Sequence, residues 1–290
     1  MTERMKRSAV HNGEVEYDIG GDGEPVLLIH GSLIADSFLP LMAETSLADY
    51  RLIRYRRRGF AGSSAHDGPF SIERQAADAS ELLRQLGVRR AHIAGHSYGA
   101  IIALQIAMDA SDLVQSLVLL ELPLLSAPSG QKLMEAMAPA IERYESGDGA
   151  GAVDAFLRIV GGPEWRKDVA RTVPHGPEQA ETDVRTFFEV EMPALAGWKF
   201  DATVAKQVSQ PILCMRGSLS LPLYEESVQL LQSWLPQTET HLVQNVNHLL
   251  LMQDAGSVGA GMAQFLMHHS LRPEGGDDSL SLAGGPRLPA

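Results

Sequence analysis

The sequence predicts an α/β protein: a three-layer sandwich with a mostly parallel central sheet, interrupted once by an inserted block of helices. Three observations lead there. Short apolar runs recur along the chain, and most lack polar alternation, as strands buried on both faces do. Between them lie stretches whose apolar residues repeat at helical spacing, and such alternation builds crossovers between parallel strands. The rhythm then breaks once, from Pro123 to about Thr203, where no convincing strand occurs. That gap of roughly 80 residues is too long for a plain crossover.

Taken in order, "PVLLIHG" (25–31) and "RLIRY" (51–55) read as the first strands. The second runs into Arg54-Tyr55-Arg56-Arg57-Arg58 and stops at Gly59, which reads as a strand end turning into a loop rather than as an anion site. Residues 71–86 form an amphipathic helix. Ile72, Ala76, Ala79, Leu82, Leu83 and Leu86 supply the apolar positions, Ser71 the N-cap and Gly87 the stop. "AHIAG" (91–95) and "SLVLLE" (116–121) are the next strands. "GQKLMEAMAPAIERYES", "GAVDAFLRIV" and "EQAETDVRTFFEVEM" follow as helices split by Gly and Pro. "PILCMRG" (211–217) and "THLVQN" (240–245) complete the sheet. Residues 254–269 close it with a helix whose Val258, Met262, Phe265 and Leu266 share a face behind an Asp254 cap. The expected division is a core of 1–122 and 203–271, a helical cap of 123–202, and a disordered tail of 272–290, rich in Gly, Pro, Ser and Asp.

Composition narrows the function. A length of 290 residues suits one large domain, or a domain with an insertion. The net charge of −12 argues against nucleic acid or an anionic membrane as partner. Cys214 is the single cysteine, so no intramolecular disulfide forms, and the N-terminus has no apolar signal-peptide core. Both fit a reducing, cytoplasmic compartment. No run of about 18 apolar residues exists to span a membrane. A homo-oligomer stays open.

The chemistry-bearing residues follow the strands. In "AHIAGHSYGAIIALQIAM" a strand runs through Gly95-His96-Ser97-Tyr98-Gly99 directly into a helix. A serine on so sharp a turn has its hydroxyl pushed out of the sheet, and flanking glycines let strand and helix approach closely. The bare pattern is weak, and the strand before it and helix after it make it specific. In "PVLLIHGSLIADSF" the loop after His30-Gly31 can aim the N–H of Ser32 or Leu33 at a developing oxyanion, with the N–H of Tyr98 as second donor. His30 itself reads as a buried imidazole bonding nearby backbone. In "VQNVNHLLLMQDAG", His248 follows the last strand, where open α/β sheets place their ligands, and is the candidate general base. His11, His66, His175, His241, His268 and His269 lack that setting.

These features resemble the α/β-hydrolase-fold superfamily, in its serine-nucleophile form with a helical cap. The likeness runs from about residue 8 to 270. It rests on His30-Gly31, "RRRGFAGSS" (56–64), Gly95–Gly99 and Asn247-His248. It is specific for fold and catalytic geometry, not for substrate. It implies that Ser97 attacks an acyl carbon and that His248 takes its proton. The dehalogenases and epoxide hydrolases of this fold use an aspartate nucleophile, and residue 97 is serine, so those chemistries are set aside.

The acid departs from the pattern. Most of the superfamily carries an aspartate a few residues beyond a strand ending in glycine, and here Gly217 leads to Ser218-Leu219-Ser220. Glu225 and Glu226 come next, but they open a helix with Pro222 at its start, where the helix dipole alone explains them. Glu121 is the better candidate. Four apolar residues run straight into its carboxylate, on the strand expected beside that of Ser97. Such a charge is costly unless paired or wet, and some α/β-hydrolases place the acid after this strand. A solvent-facing strand end, or a salt bridge with a cap arginine, is the alternative. The expectation is therefore a serine hydrolase with a Ser97-His248-Glu121 triad, acting on an ester-like or activated carbonyl of an apolar, small-to-medium substrate. A cofactor-free lyase or carbon–carbon bond hydrolase, or a ligand-binding pseudoenzyme, stands beside it. No metal is implied, because no His/Cys/Asp/Glu cluster has ligand spacing, and no cofactor is expected. Met134, Met137, Trp165, Phe187, Phe188, Met192 and Trp198 could line the pocket, although for each of them packing between cap helices is favoured.

Overall fold

Eight strands form a single sheet in the order β1-β2-β4-β3-β5-β6-β7-β8. They are β1 (Lys6–Val10), β2 (Gly13–Gly20), β3 (Glu24–Ile29), β4 (Tyr50–Arg56), β5 (Ala91–His96), β6 (Val114–Leu120), β7 (Ile212–Gly217) and β8 (Thr238–Val243). The structure, a computed structural model, describes residues 5–66 and 68–271. The tail expected from Arg272 lies outside them.

From β4 to β8 every pairing is parallel, as the apolar runs predict, and β1 and β2 pair antiparallel. The β1–β2 hairpin is an addition to the sequence reading. "KRSAV" and "GEVEYDIG" lie at the sheet edge and are half exposed, so they carry no continuous apolar run. The signal present is the His-Asn-Gly turn between them, where His11 has φ 32°.

Successive residues of the inner strands bury opposite sides. Leu27 and Ile29 of β3 and Leu117 and Leu119 of β6 pack with the layer containing the helices Ile72–Gln85, Tyr98–Asp109 and Pro222–Trp234. Val26, Leu28, Val118 and Leu120 pack with the layer containing Ala255–His268. Each such side chain contributes about 1.5–3 kcal/mol on burial. Two caps hold as predicted: Ser71 accepts from Arg74 N, and Asp254 accepts from Ser257 N.

Between β6 and β7 the described residues are helical and loop, with helices at Gly130–Ala136, Ala138–Glu145, Gly149–Gly161, Trp165–Thr172 and Gly176–Thr182. Residues 184–197 continue as helix through a π-helical turn, Phe187–Glu191, in which Met192 N bonds Phe187 O. Pro193 explains the turn. It has no N–H to give the carbonyl four residues back, and its ring would crowd that carbonyl in a regular helix.

The basic run is neutralised throughout. Arg54 and Arg56 share Asp36, Arg56 also meets Glu16, Arg57 pairs with Glu191 and Arg58 with Asp78. Cys214 is buried in β7, and burial pushes its thiol up to about 12.

The strand order positions the site. The chain leaves β3 for β4 on one side and then crosses back to β5 on the other. That reversal opens a crevice beyond the C-terminal ends of β3 and β5, where His30-Gly31 and Ser97 lie.

Candidate active site

Ser97 sits between β5 and the helix Tyr98–Asp109 with φ 55° and ψ −120°, a region that costs a non-glycine residue of order 1–3 kcal/mol. The turn is tight because its glycines have no side chain. A Cβ on Gly95 would lie 2.2 Å from Gly99 O, and one on Gly99 would lie 2.1 Å from Ile29 O. Gly99→Ala should therefore destabilise the fold by about 3 kcal/mol or more, read as a lowered denaturant midpoint. An unchanged midpoint would mean that the elbow is not as close to β3 as described.

The loop after β3 closes over the same turn. A Cβ on Gly31 would sit 3.0 Å from the Ser97 Cβ. Ser32 lines the cavities beside Ser97. Leu33 has φ 65°, buries its side chain in the core, and is spanned by Ile34 N donating to Ser32 O. Tyr98 opens the helix, so its N–H is among those with no acceptor inside the helix. Serine, loop and helix N-terminus thus converge. His30 is the buried imidazole expected: Nδ1 donates to Gly31 O at 2.7 Å and Nε2 accepts from Arg57 N at 3.0 Å.

His248 is buried and lines a cavity together with Gly31, Ser32 and Ser97. Its Nδ1 lies 3.1 Å from Oε2 of Glu121. Glu121 is 1% exposed and has φ 53°, so the chain bends sharply where it leaves β6 and turns the carboxylate inward. Its other oxygen, Oε1, accepts from Gly217 N and from Ser220 Oγ, both at 2.7 Å. Ser220, at the place where an aspartate is commonly found, thus holds the carboxylate that arrives from β6. Glu225 and Glu226 lie elsewhere: Glu225 is 3.4 Å from Arg216, and Glu226 accepts from Ser129 N and Oγ.

Two aromatic groups that the sequence reading passes over fix the His248 ring. Tyr224 stacks on it with centroids 4.8 Å apart, and His96 lies against it at 4.8 Å. His96 Nε2 also donates to His248 O at 2.9 Å. The only available signal for His96 is its place beside Ser97, because its partner is 152 residues away.

Burial pushes His96 down to about 3 and, with nearby arginines adding to the effect, His66 to about 4. Burial also lowers His30 and His92. As pH falls below about 6.5 the unfolded chain takes up protons that these folded imidazoles refuse, so stability is full above that pH and is lost toward pH 4. The melting temperature should accordingly fall steadily between about pH 7 and pH 5, and a flat profile would contradict the neutral buried histidines.

A pocket lies over Ser97, lined also by Ser32 and Tyr98. Its walls are chiefly apolar and include Met134, Met137, Phe156, Phe187 and Met192. Three of the seven candidate lining residues pack elsewhere, as favoured for each of them. Trp165 is fully buried with Nε1 donating to Asp154, Phe188 stacks on Tyr144, and Trp198 stacks on Phe200 and donates to Gln105. Among the described residues no group of three or more His, Cys, Asp or Glu is arranged to hold a metal ion. Nor is any helix there long and apolar enough to cross a membrane.

Residues 26–259 match the model of the alpha/beta hydrolase family. The chain belongs to the alpha/beta hydrolase family. It is 35% identical over 111 residues to a protein named as carbamate hydrolase RutD of Azorhizobium caulinodans, covering 38% of this chain and 42% of that one. It is 32% identical over 129 residues to a fluoroacetate dehalogenase of Burkholderia sp, covering 42% of each. The matches thus span about two fifths of these relatives' length. An esterase from Thermogutta terrifontis superposes with a TM-score of 0.73 at 20% identity, over 92% of this chain and 100% of that one, which shows the alpha/beta hydrolase fold.

Proposed function

We propose that the chain is a serine hydrolase that forms an acyl-enzyme on an ester-like or otherwise activated carbonyl. The observation that carries this reading is the buried Glu121–His248 contact at 3.1 Å, beside a strained serine on the same cavity. A buried carboxylate on Nδ1 keeps the proton there and leaves Nε2 free to accept one. In the proposed first step Nε2 of His248 takes the Ser97 hydroxyl proton while Oγ bonds to the carbonyl carbon. The carbonyl π-electrons move to oxygen, held by the Tyr98 N–H and by that of Ser32 or Leu33, and loss of one such donor costs about 3 kcal/mol. The oxyanion collapses, the bond to the leaving group breaks, and His248 returns the proton to it. Water repeats the sequence on the acyl-serine and releases the acid. Glu121 stays ionised and steadies the imidazolium.

Residues 123–202 serve as a cap in this reading, because their Met134, Met137, Phe187 and Met192 roof the pocket. The apolar walls suit an apolar, small-to-medium substrate. The dehalogenase relative does not extend its chemistry here, since residue 97 is serine. A binding-only role rests on the absent aspartate, and the Glu121–His248 contact argues against it.

A fluorophosphonate probe tests the reading. The folded protein should be modified once, at Ser97, and the heat-denatured protein should not. No adduct, or one at another serine, would sink it.

A further inference from the structure

We infer that Glu191 is a specificity residue that selects substrates carrying an uncharged hydrogen-bond donor, a hydroxyl or an amide-type N–H, away from the reacting carbonyl. The inference rests on the serine hydrolase reading and adds a substrate feature to it.

Glu191 ends the π-helical turn and lines the pocket that contains Ser97 and Tyr98. It is 1% exposed. Its Oε1 accepts from Arg57 Nη2, which fixes the carboxylate in place. Its Oε2 is buried with no hydrogen-bond partner among the described residues. A buried carboxylate oxygen left unpaired is costly and rare in a native structure. Of the side chains lining this pocket only those of Ser32, Ser97, Tyr98 and Tyr224 carry a donor hydroxyl, and none of them bonds Oε2; the rest, among them Leu133, Met137, Phe156, Met192 and Leu195, have no donor to offer. The missing partner is therefore a group that enters the pocket.

Charge sets the kind of group. Arg57 already balances Glu191, and its remaining hydrogen bonds go to Gln75 Oε1 and to the carbonyls of His30 and Gly31. A cation on the substrate would add an uncompensated charge to a pair that is already neutral, in an apolar enclosure. A neutral O–H or N–H satisfies Oε2 without that cost. Sites built to pair a substrate hydroxyl discriminate strongly against analogues lacking it, because their own polar group is then stranded. The same Arg57 holds the loop after β3, so the residue that reads the substrate is tied to the loop proposed to hold the oxyanion.

The test compares methyl hexanoate with derivatives bearing a hydroxyl, or its methyl ether, on each chain carbon in turn, following acid release. For one position the native enzyme should show kcat/KM at least about ten-fold higher with the hydroxyl than with the methyl ether or the parent. In Glu191→Gln, Arg57 keeps the amide oxygen and the NH₂ faces the pocket, so the preference should pass to the methyl ether. If Glu191→Gln does not fold, Glu191→Asp replaces it and should erase the preference, because its oxygens are withdrawn. Turnover of the parent with no favoured hydroxyl position would overturn the inference alone, as would an equal loss for all esters in the variant. No turnover of any ester by the native protein would overturn the hydrolase reading, and the inference with it.

Discussion

Ser97→Ala is expected to lower kcat for ester hydrolysis by roughly a million-fold with the fold intact. The expected size follows from the way the site acts as a unit. Without Oγ there is nothing for His248 to deprotonate and no acyl-enzyme, and only substrate binding and oxyanion stabilisation remain, which still leave about 10³-fold over water. The backbone at residue 97 is strained at φ 55°, and alanine adopts it no less readily than serine. Circular dichroism and melting temperature should thus match the native protein while turnover vanishes. Turnover within about ten-fold of native would require another nucleophile.

Glu121→Gln should cost roughly 10⁴ in kcat with little change in KM. The geometry gives a specific reason. Oε1 accepts from Gly217 N, a backbone group that can only donate, and from Ser220 Oγ. In the amide these donors keep the oxygen in its place, and the NH₂ is left facing Nδ1 of His248. The imidazole must then accept at Nδ1 and carry its proton on Nε2, where it cannot take one from Ser97. Glu225→Gln and Glu226→Gln serve as controls, since those carboxylates meet Arg216 and Ser129. Near-native turnover in Glu121→Gln, with loss in either control, would move the acid to another residue.

The route by which Glu121 reaches His248 was only half legible in the chain. An acid ending an apolar strand beside that of Ser97 is visible as a pattern, because burial without a partner is costly. The positive φ that turns it inward is not visible, since glutamate carries no preference for that region. The parallel core is legible because strands buried on both faces must be apolar along their length. The β1–β2 hairpin is not, because a half-exposed edge needs no such run. His96 and Tyr224 escape for a different reason: each acts through the His248 ring, which is remote in sequence. Trp165, Phe187 and Trp198 look alike as apolar helix residues. Only the packing of the helices sends Phe187 to the pocket and the other two elsewhere.

Rapid quenching of a nitrophenyl ester reaction, followed by peptide mass analysis, tests the central claim most directly. The account predicts a burst of nitrophenol and an acyl group on the peptide containing Ser97, both absent from Ser97→Ala. Product formation with no acyl group on Ser97, or with the same burst in Ser97→Ala, would contradict it.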